Sequence, residues 1–245
     1  MSEIMYLNLA LIVGAYEGLG YGESIGKLIA TNGLDLPSKD SLMHCILNDK
    51  DFWRRSAASD LLQTIEDFEL DTGRLEISHP FADSSVQSIA YKLGIPFTGH
   101  PMFGQDIIYT HKMSKGAAIG RTAERDFLRY VHSISRLEGG VYLSVGSSIM
   151  SPMIFEKALS MARNVAEQSK KNISDCLIVV VDIQPESWDW NKGEPPMDNP
   201  AYYQRFMKTF SRMGCSVLYI CADNRLFFSS LCQSLIKLDR AGGYL

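Results

Sequence analysis

The chain reads as an α/β protein built on a doubly wound, largely parallel sheet with helices on both faces, a Rossmann-like architecture. Three observations predict this. Short apolar runs alternate with amphipathic stretches from residue 84 to the C-terminus. The run at 176–183 is almost wholly apolar, the mark of a strand buried on both faces. Gly, Pro and Asn punctuate the joins, as short βα connections require.

The elements follow in order. Residues 7–13 form a continuous apolar run that stops at Gly14 and reads as a buried strand. Gly18, Gly20 and Gly22 follow, then a helical stretch at 23–32 closed by Gly33. In 49–70, Phe52, Leu61, Leu62, Ile65 and Phe68 recur at helical spacing with acids opposite. Residues 84–93 make a short helix, with Ser84 or Ser85 as cap and Gly94 as stop. A short strand is expected at 95–98 and an amphipathic helix at 122–137, ended by Gly139 and Gly140. Then come strand 141–145, helix 152–170, strand 176–183, helix 200–213, strand 216–222 and helix 226–238. The one long irregular segment is 184–199. Its Trp188 and Trp190 are expected to pack against a partner subunit. One domain is expected over 1–245, with a helix-rich portion at 1–83 and the regular βα portion at 84–245.

Composition narrows the function. At 245 residues, 46 % apolar and 21 % charged, the chain can bury a full core without metal or disulfide. A net charge of −4 argues against nucleic acid or an anionic membrane as partner, because both need a basic surface. The five cysteines are odd in number and lack CxxC spacing, and several lie in apolar runs. They read as buried reduced thiols in a cytoplasmic protein. The apolar start has no basic n-region and is too short to span a bilayer.

Four constellations carry possible chemistry. Gly146-Ser147-Ser148 lies between a strand and a helix that begins near Pro152. There, small residues and free N–H groups suit an anion or cofactor. Gly18, Gly20, Gly22 and Gly26 open a helix after an apolar run. Their GxGxxxG spacing departs from the dinucleotide fingerprint GxGxxG and reads as a glycine-rich turn. His100, Asp106 and His111 share a segment but lack metal-ligand spacing, so a polar pocket is expected there and no metal. Lys208 lies among Tyr202, Tyr203, Phe206 and Phe210. Desolvation there would make it a nucleophile, whereas a stem laid along the helix would make it ordinary.

From Ile95 onward the sequence resembles the C-terminal half of deoxyhypusine synthase and its bacterial relatives. The blocks that carry the resemblance are Gly94-Ile-Pro-Phe97 with Gly104-Gln105-Asp106, and Leu137-Glu-Gly-Gly-Val-Tyr-Leu-Ser-Val-Gly-Ser-Ser148 with Ala162-Arg163-Asn164. They continue with Asn199-Pro200, Lys208-Thr209 and Ala222-Asp223-Asn224. The resemblance implies an oligomer that binds NAD, oxidises a polyamine, and passes an aminobutyl group through an imine on a lysine. Lys208, eight residues after Pro200, takes the place of that lysine. Asp106 takes the place of a polyamine-binding carboxylate, with Tyr202 and Phe206 where the family has a glutamate and a tryptophan. Gly146, Ser147, Ser148 and Asp223 fall at the cofactor. The sequence departs at Pro101, where the family has a second acid, and at Met150-Ser151-Pro152, where its histidine is absent. By this resemblance, the family's N-terminal strands are expected to be missing or reduced here.

Three functions follow from these readings: an NAD-linked transferase acting on an amine, a non-catalytic relative acting as a binding or oligomeric module, and a nucleotide or small-molecule binding protein. Losing acids matters physically, because each buried ammonium of a polyamine needs a partner. Weak or no deoxyhypusine synthase activity is therefore expected, with a small-molecule amine or nucleotide as ligand and a homo-oligomeric state.

Overall fold

A computed structural model describes residues 3–186 and 188–242. By contact they group into two compact units, Met1–Tyr130 and Val131–Leu245. The first contains helices α1 (Glu3–Glu17), α2 (Tyr21–Thr31), α3 (Lys39–Asn48), α4 (Phe52–Asp67) and α5 (Val86–Leu93), and most of α6 (Gly116–Ile134). Strands β1 (Gly33–Leu36) and β2 (Gly73–Glu76) form an antiparallel pair beside them. The second unit contains β3 (Gly140–Val145), α7 (Met150–Gln168), β4 (Cys176–Asp182), α8 (Arg205–Ser211), β5 (Ser216–Cys221) and α9 (Asn224–Arg240).

The N-terminal apolar run is a helix and not a strand. Leu9, Leu11, Ile12 and Val13 are all almost fully buried, so α1 is covered on every side and shows no amphipathic period. A short run buried all round cannot be told from a buried strand by pattern, and here its Leu and Ala content favours the helix. Leu9, Ile12 and Val13 pack with Leu42 of α3 and with Leu61 and Ile65 of α4. No single helix among the described residues is long and apolar enough to cross a membrane.

Residues 95–98 are likewise irregular and not a strand. Gly94 closes α5 in the left-handed conformation (φ 65°), and Pro96 has no N–H to give a ladder. What holds this segment is its packing on α2, where the Phe97 carbonyl lies against Gly22. The turn that closes α2 has its left-handed residue at Asn32 (φ 52°), so Gly33 begins β1. Helix α6 starts at Gly116, earlier than its apolar period implies.

In the second unit the three expected strands form one parallel sheet in the order β3-β4-β5. Ser85, for α5, and Asp223, for α9, serve as side-chain N-caps. The expected helix at 200–213 divides into a 3-10 turn at Pro200–Tyr203 and the short helix α8. The strand order runs in one direction, and the reversal that defines a doubly wound sheet is not present among the described strands.

One face of this sheet is sealed by α7 and α8. Phe155 stacks on Tyr142 of β3 with ring centroids 3.9 Å apart, and Phe210 of α8 lies 6.3 Å from Phe155. The segment 184–199 folds back on the same unit. Trp190 is 3 % exposed, its Nε1 donates to Glu186, and Asn191 pairs with both backbone groups of Val217. Trp190 is thus a core residue and not an anchor for a partner.

The cysteines also differ from expectation. The sheet register sets Leu177 beside Ser216, which brings Cys176 and Cys215 together one step earlier. Their Cα atoms are 5.2 Å apart and the two form a disulfide. Cys45 is a buried free thiol, whereas Cys221 and Cys232 are exposed. Strand register is a long-range property, so no local spacing could signal the bridge.

Candidate functional site

The carboxyl edge of the parallel sheet collects three strand ends. After β3 the chain turns at Gly146, whose φ of 64° favours glycine. A methyl group there would lie 2.3 Å from the Asn224 amide nitrogen. Gly146 therefore lies against Asn224, the residue after Asp223, at the corner that follows β5. At the end of β4, Asp182 accepts from the Gln184 N–H, and the Tyr219 hydroxyl donates to the Gln184 carbonyl. Burial, with the Asp182 charge as a second cause, pushes the Tyr219 hydroxyl up to about 12.

Most of the polar groups at this edge are already engaged. The Ser147 hydroxyl accepts from the Ser151 N–H in the first turn of α7. Ser151 Oγ in turn lies 2.7 Å from both Tyr142 Oη and Ser144 Oγ. Pro152 has no N–H to offer. Asp223 accepts from Arg225 N and Leu226 N, so the first turn of α9 is capped by its own carboxylate. A pyrophosphate here would meet Asp223 and compete with Ser147 for its donor. These residues fit a dinucleotide poorly.

Lys208 lies inside α8. Its ammonium is 2.8 Å from Glu194 Oε1 and 3.1 Å from the centroid of the Tyr202 ring, and its side chain is 14 % exposed. Glu194 is shared with Arg212, and hydrogen bonds from both cations hold its carboxyl below the usual range. Lys208 and Tyr202 thus come together, but as a closed ion-pair and cation–π contact. Phe206, the other residue expected at the amine, is 8 % exposed and belongs to the core. Glu194 had no sequence signal, since it lies in an irregular segment. Along one wall of this unit, a cavity of about 270 Å³ is lined by Ser160, Arg163, Asn164, Thr209 and Arg212. Lys208 does not line it.

Asp106 belongs to the first unit. Its carboxylate caps the 3-10 turn Ile107–Thr110 by accepting from the Ile108 N–H. The His100 ring is 3.0 Å from Thr98 Oγ1 and packs edge-on to Tyr130, and burial pushes its pKa down. His111 Nδ1 accepts from the Met113 N–H. Among the described residues no group of three or more His, Cys, Asp or Glu is placed to hold a metal ion.

The glycine-rich turn has a different partner. Asp126 of α6 accepts from Gly22 N at 2.8 Å and from Gly99 N at 2.7 Å, both through Oδ2. A carboxylate of the chain itself thus occupies the start of α2, where a dinucleotide fold would receive phosphate. Asp126 is fully buried and its Oδ1 has no hydrogen-bond partner. Burial pushes this carboxyl above its usual range, although the two N–H donors pull the other way. The sequence did carry a signal for Asp126. It falls in step with Ile119 and Thr122 on the buried face of α6, an acid where an apolar residue belongs.

The glycines admit these neighbours. A methyl at Gly20 would lie 1.7 Å from Asp126 Oδ1, and one at Gly22 would lie 2.1 Å from the Phe97 carbonyl oxygen. Backbone cannot rotate aside as a side chain can. Gly22→Ala is therefore expected to cost about 3 kcal/mol or more in urea unfolding. Gly18→Ala, with φ of 82° and open space around it, should cost about 1–2 kcal/mol. Equal costs at the two positions would rule out close approach as the reason for Gly22.

No protein-family model, no curated protein and no solved structure matches the chain.

Proposed function

We propose that this protein is a deoxyhypusine-synthase-like binding module that holds a small amine and carries out no imine chemistry. The observation behind this reading is the engagement of Lys208. An imine-forming lysine must offer a nitrogen lone pair to an incoming carbonyl carbon. The Lys208 nitrogen instead lies against Glu194 and the Tyr202 ring, and a carbonyl would have to displace both. In this reading Lys208 is a brace that ties the segment 184–199 to α8.

The choice of an amine over a nucleotide rests on charge. The carboxyl edge presents Asp182 and Asp223, and carboxylates attract an ammonium and repel phosphate. Among the described residues the cation that faces Asp223 is Arg225, 3.9 Å away and 96 % exposed. A doubly wound, Rossmann-like completion of the sheet would need a further strand beside β3, the edge next to the Gly146 turn.

Borohydride trapping with spermidine and NAD tests the absence of turnover. The protein and its Lys208→Arg variant should both remain unlabelled, while spermidine binding is detected by calorimetry and weakened in Asp182→Asn. A borohydride-stable adduct mapped to Lys208 would overturn the non-catalytic reading. Binding of NAD without spermidine would overturn the choice of ligand.

A further inference from the structure

We propose that a cavity in the first unit, between α2, α5 and α6, binds a free α-amino acid with a small apolar side chain, its ammonium on Glu23 and its carboxylate on Arg129. The cavity shares no residue with the carboxyl edge of the parallel sheet. The sequence builds it in two steps. Gly26 lets α2 lie close to α5, where a methyl group would sit 2.7 Å from the Gln87 carbonyl oxygen and 3.2 Å from Tyr91 Cβ. Glu23 lies one turn earlier on the same face of α2. The irregular segment 94–97 then turns back beside α2, where the Phe97 carbonyl lies against Gly22. The space left between them is a cavity of about 190 Å³, with Arg129 of α6 in its wall.

The wall identifies the ligand. One part of it is apolar, built from Ala90, Tyr91, Ile95, Pro96 and Phe97. An apolar cavity of about 150 Å³ holds one benzene ring. The space here therefore fits a short branched or single-ring side chain. The rest of the wall carries charge. Among the described residues, the charged ones that line it are Glu23 and Arg129, which face each other as an ion pair with both side chains partly exposed. Gln87 adds an amide without charge. The wall is thus neutral as a whole but has a negative and a positive pole. An ammonium alone would be repelled by Arg129, and a carboxylate alone by Glu23. A zwitterion satisfies both poles and brings no net charge. The pair can accept it without breaking. Glu23 meets Arg129 through Oε2, so Oε1 takes no part in that contact, and a guanidinium carries five N–H donors. The neighbouring charges are engaged elsewhere. Lys27, one turn after Glu23, pairs with Glu17. Asp126 acts on both residues of the pair, but it is fully buried and accepts from the Gly22 and Gly99 N–H groups.

Isothermal titration calorimetry on the full chain tests the site with three ligands: L-leucine, isocaproate, which lacks the ammonium, and isoamylamine, which lacks the carboxylate. Leucine should bind, and each analogue should bind about tenfold more weakly or worse, because each forfeits one charge-assisted contact. This series uses the native protein and needs no variant. Glu23→Gln should weaken leucine about tenfold and leave isocaproate no weaker, so that the preference for an ammonium disappears. Circular dichroism of the variant establishes that the fold is kept. Spermidine should not compete with leucine, and Asp182→Asn should leave leucine binding unchanged, which separates this cavity from the carboxyl edge. No heat with leucine at millimolar concentration overturns the proposal. So does an analogue that binds as tightly as leucine, or a folded Glu23→Gln that keeps the native preference.

Discussion

Asp126→Ala should remove about 2–5 kcal/mol from the unfolding free energy, while Asp126→Asn should cost little or nothing near neutral pH. The alanine leaves the N–H groups of Gly22 and Gly99 without their acceptor in a buried place. An unpaired buried donor costs roughly 1–3 kcal/mol, and two are stranded here. Asparagine keeps one carbonyl oxygen for both donors and brings no charge. The two variants should also differ from the native protein in pH dependence. Burial raises the Asp126 carboxyl above its unfolded value, so the folded protein holds the proton over a range where the unfolded chain has released it. The stability this group contributes is therefore full below the unfolded carboxylate value of about 4 and is lost as pH rises through the folded value. Urea midpoints measured from pH 4 to pH 8 should fall for the native protein relative to Asp126→Asn. Parallel curves would mean that Asp126 titrates as an ordinary carboxylate, and an alanine variant as stable as the asparagine one would remove the cap.

This turn shows what sequence could and could not convey. Gly18, Gly20 and Gly22 are visible as a turn that opens a helix, and the expectation of a glycine-rich turn over a dinucleotide fingerprint agrees with the Asp126 cap. The acid that fills the turn lies over a hundred residues away, and only its place on the apolar face of α6 hinted at burial. Strands β3, β4 and β5 were legible because each is a short apolar run between amphipathic helices. Helix α1 was not, because a helix buried all round has no period, and neither was the pair β1–β2, whose four-residue strands carry little pattern. Gly146, Ser147 and Asp223 could be placed at the carboxyl edge because strand ends gather there in any parallel sheet. The state of Lys208 was hidden, since its partner Glu194 lies in a segment without regular structure. The bridge between Cys176 and Cys215 was hidden for the same reason as the Asp126 cap: partners distant in sequence meet only once the register is set.

Phe155→Ala should destabilise the second unit by about 3–5 kcal/mol, whereas Phe155→Leu should cost about 1.5 kcal/mol or less. Phe155 is 0 % exposed and faces Tyr142 of β3 on one side and Phe210 of α8 on the other. Alanine would leave a void where α7, α8 and the sheet meet, and leucine would refill most of it. The loss extends beyond volume. The Tyr142 ring is held flat on Phe155, and its hydroxyl meets Ser151 Oγ, which also meets Ser144 Oγ. Releasing the ring should therefore loosen the hydroxyl chain that supports the Gly146 turn, so a core substitution is felt at the carboxyl edge. Amide hydrogen exchange can separate this from a general loss of stability. Protection should fall at β3 and in the first turn of α7, while α1 and α4, whose core is built from Leu9, Leu61 and Ile65, should keep theirs. The aromatic contribution can be isolated by a double-mutant cycle with Tyr142→Leu, where a coupling of about 0.5–1.5 kcal/mol is expected for a stacked pair. No coupling, with protection at β3 unchanged in Phe155→Ala, would show that this stack does not hold the edge in place.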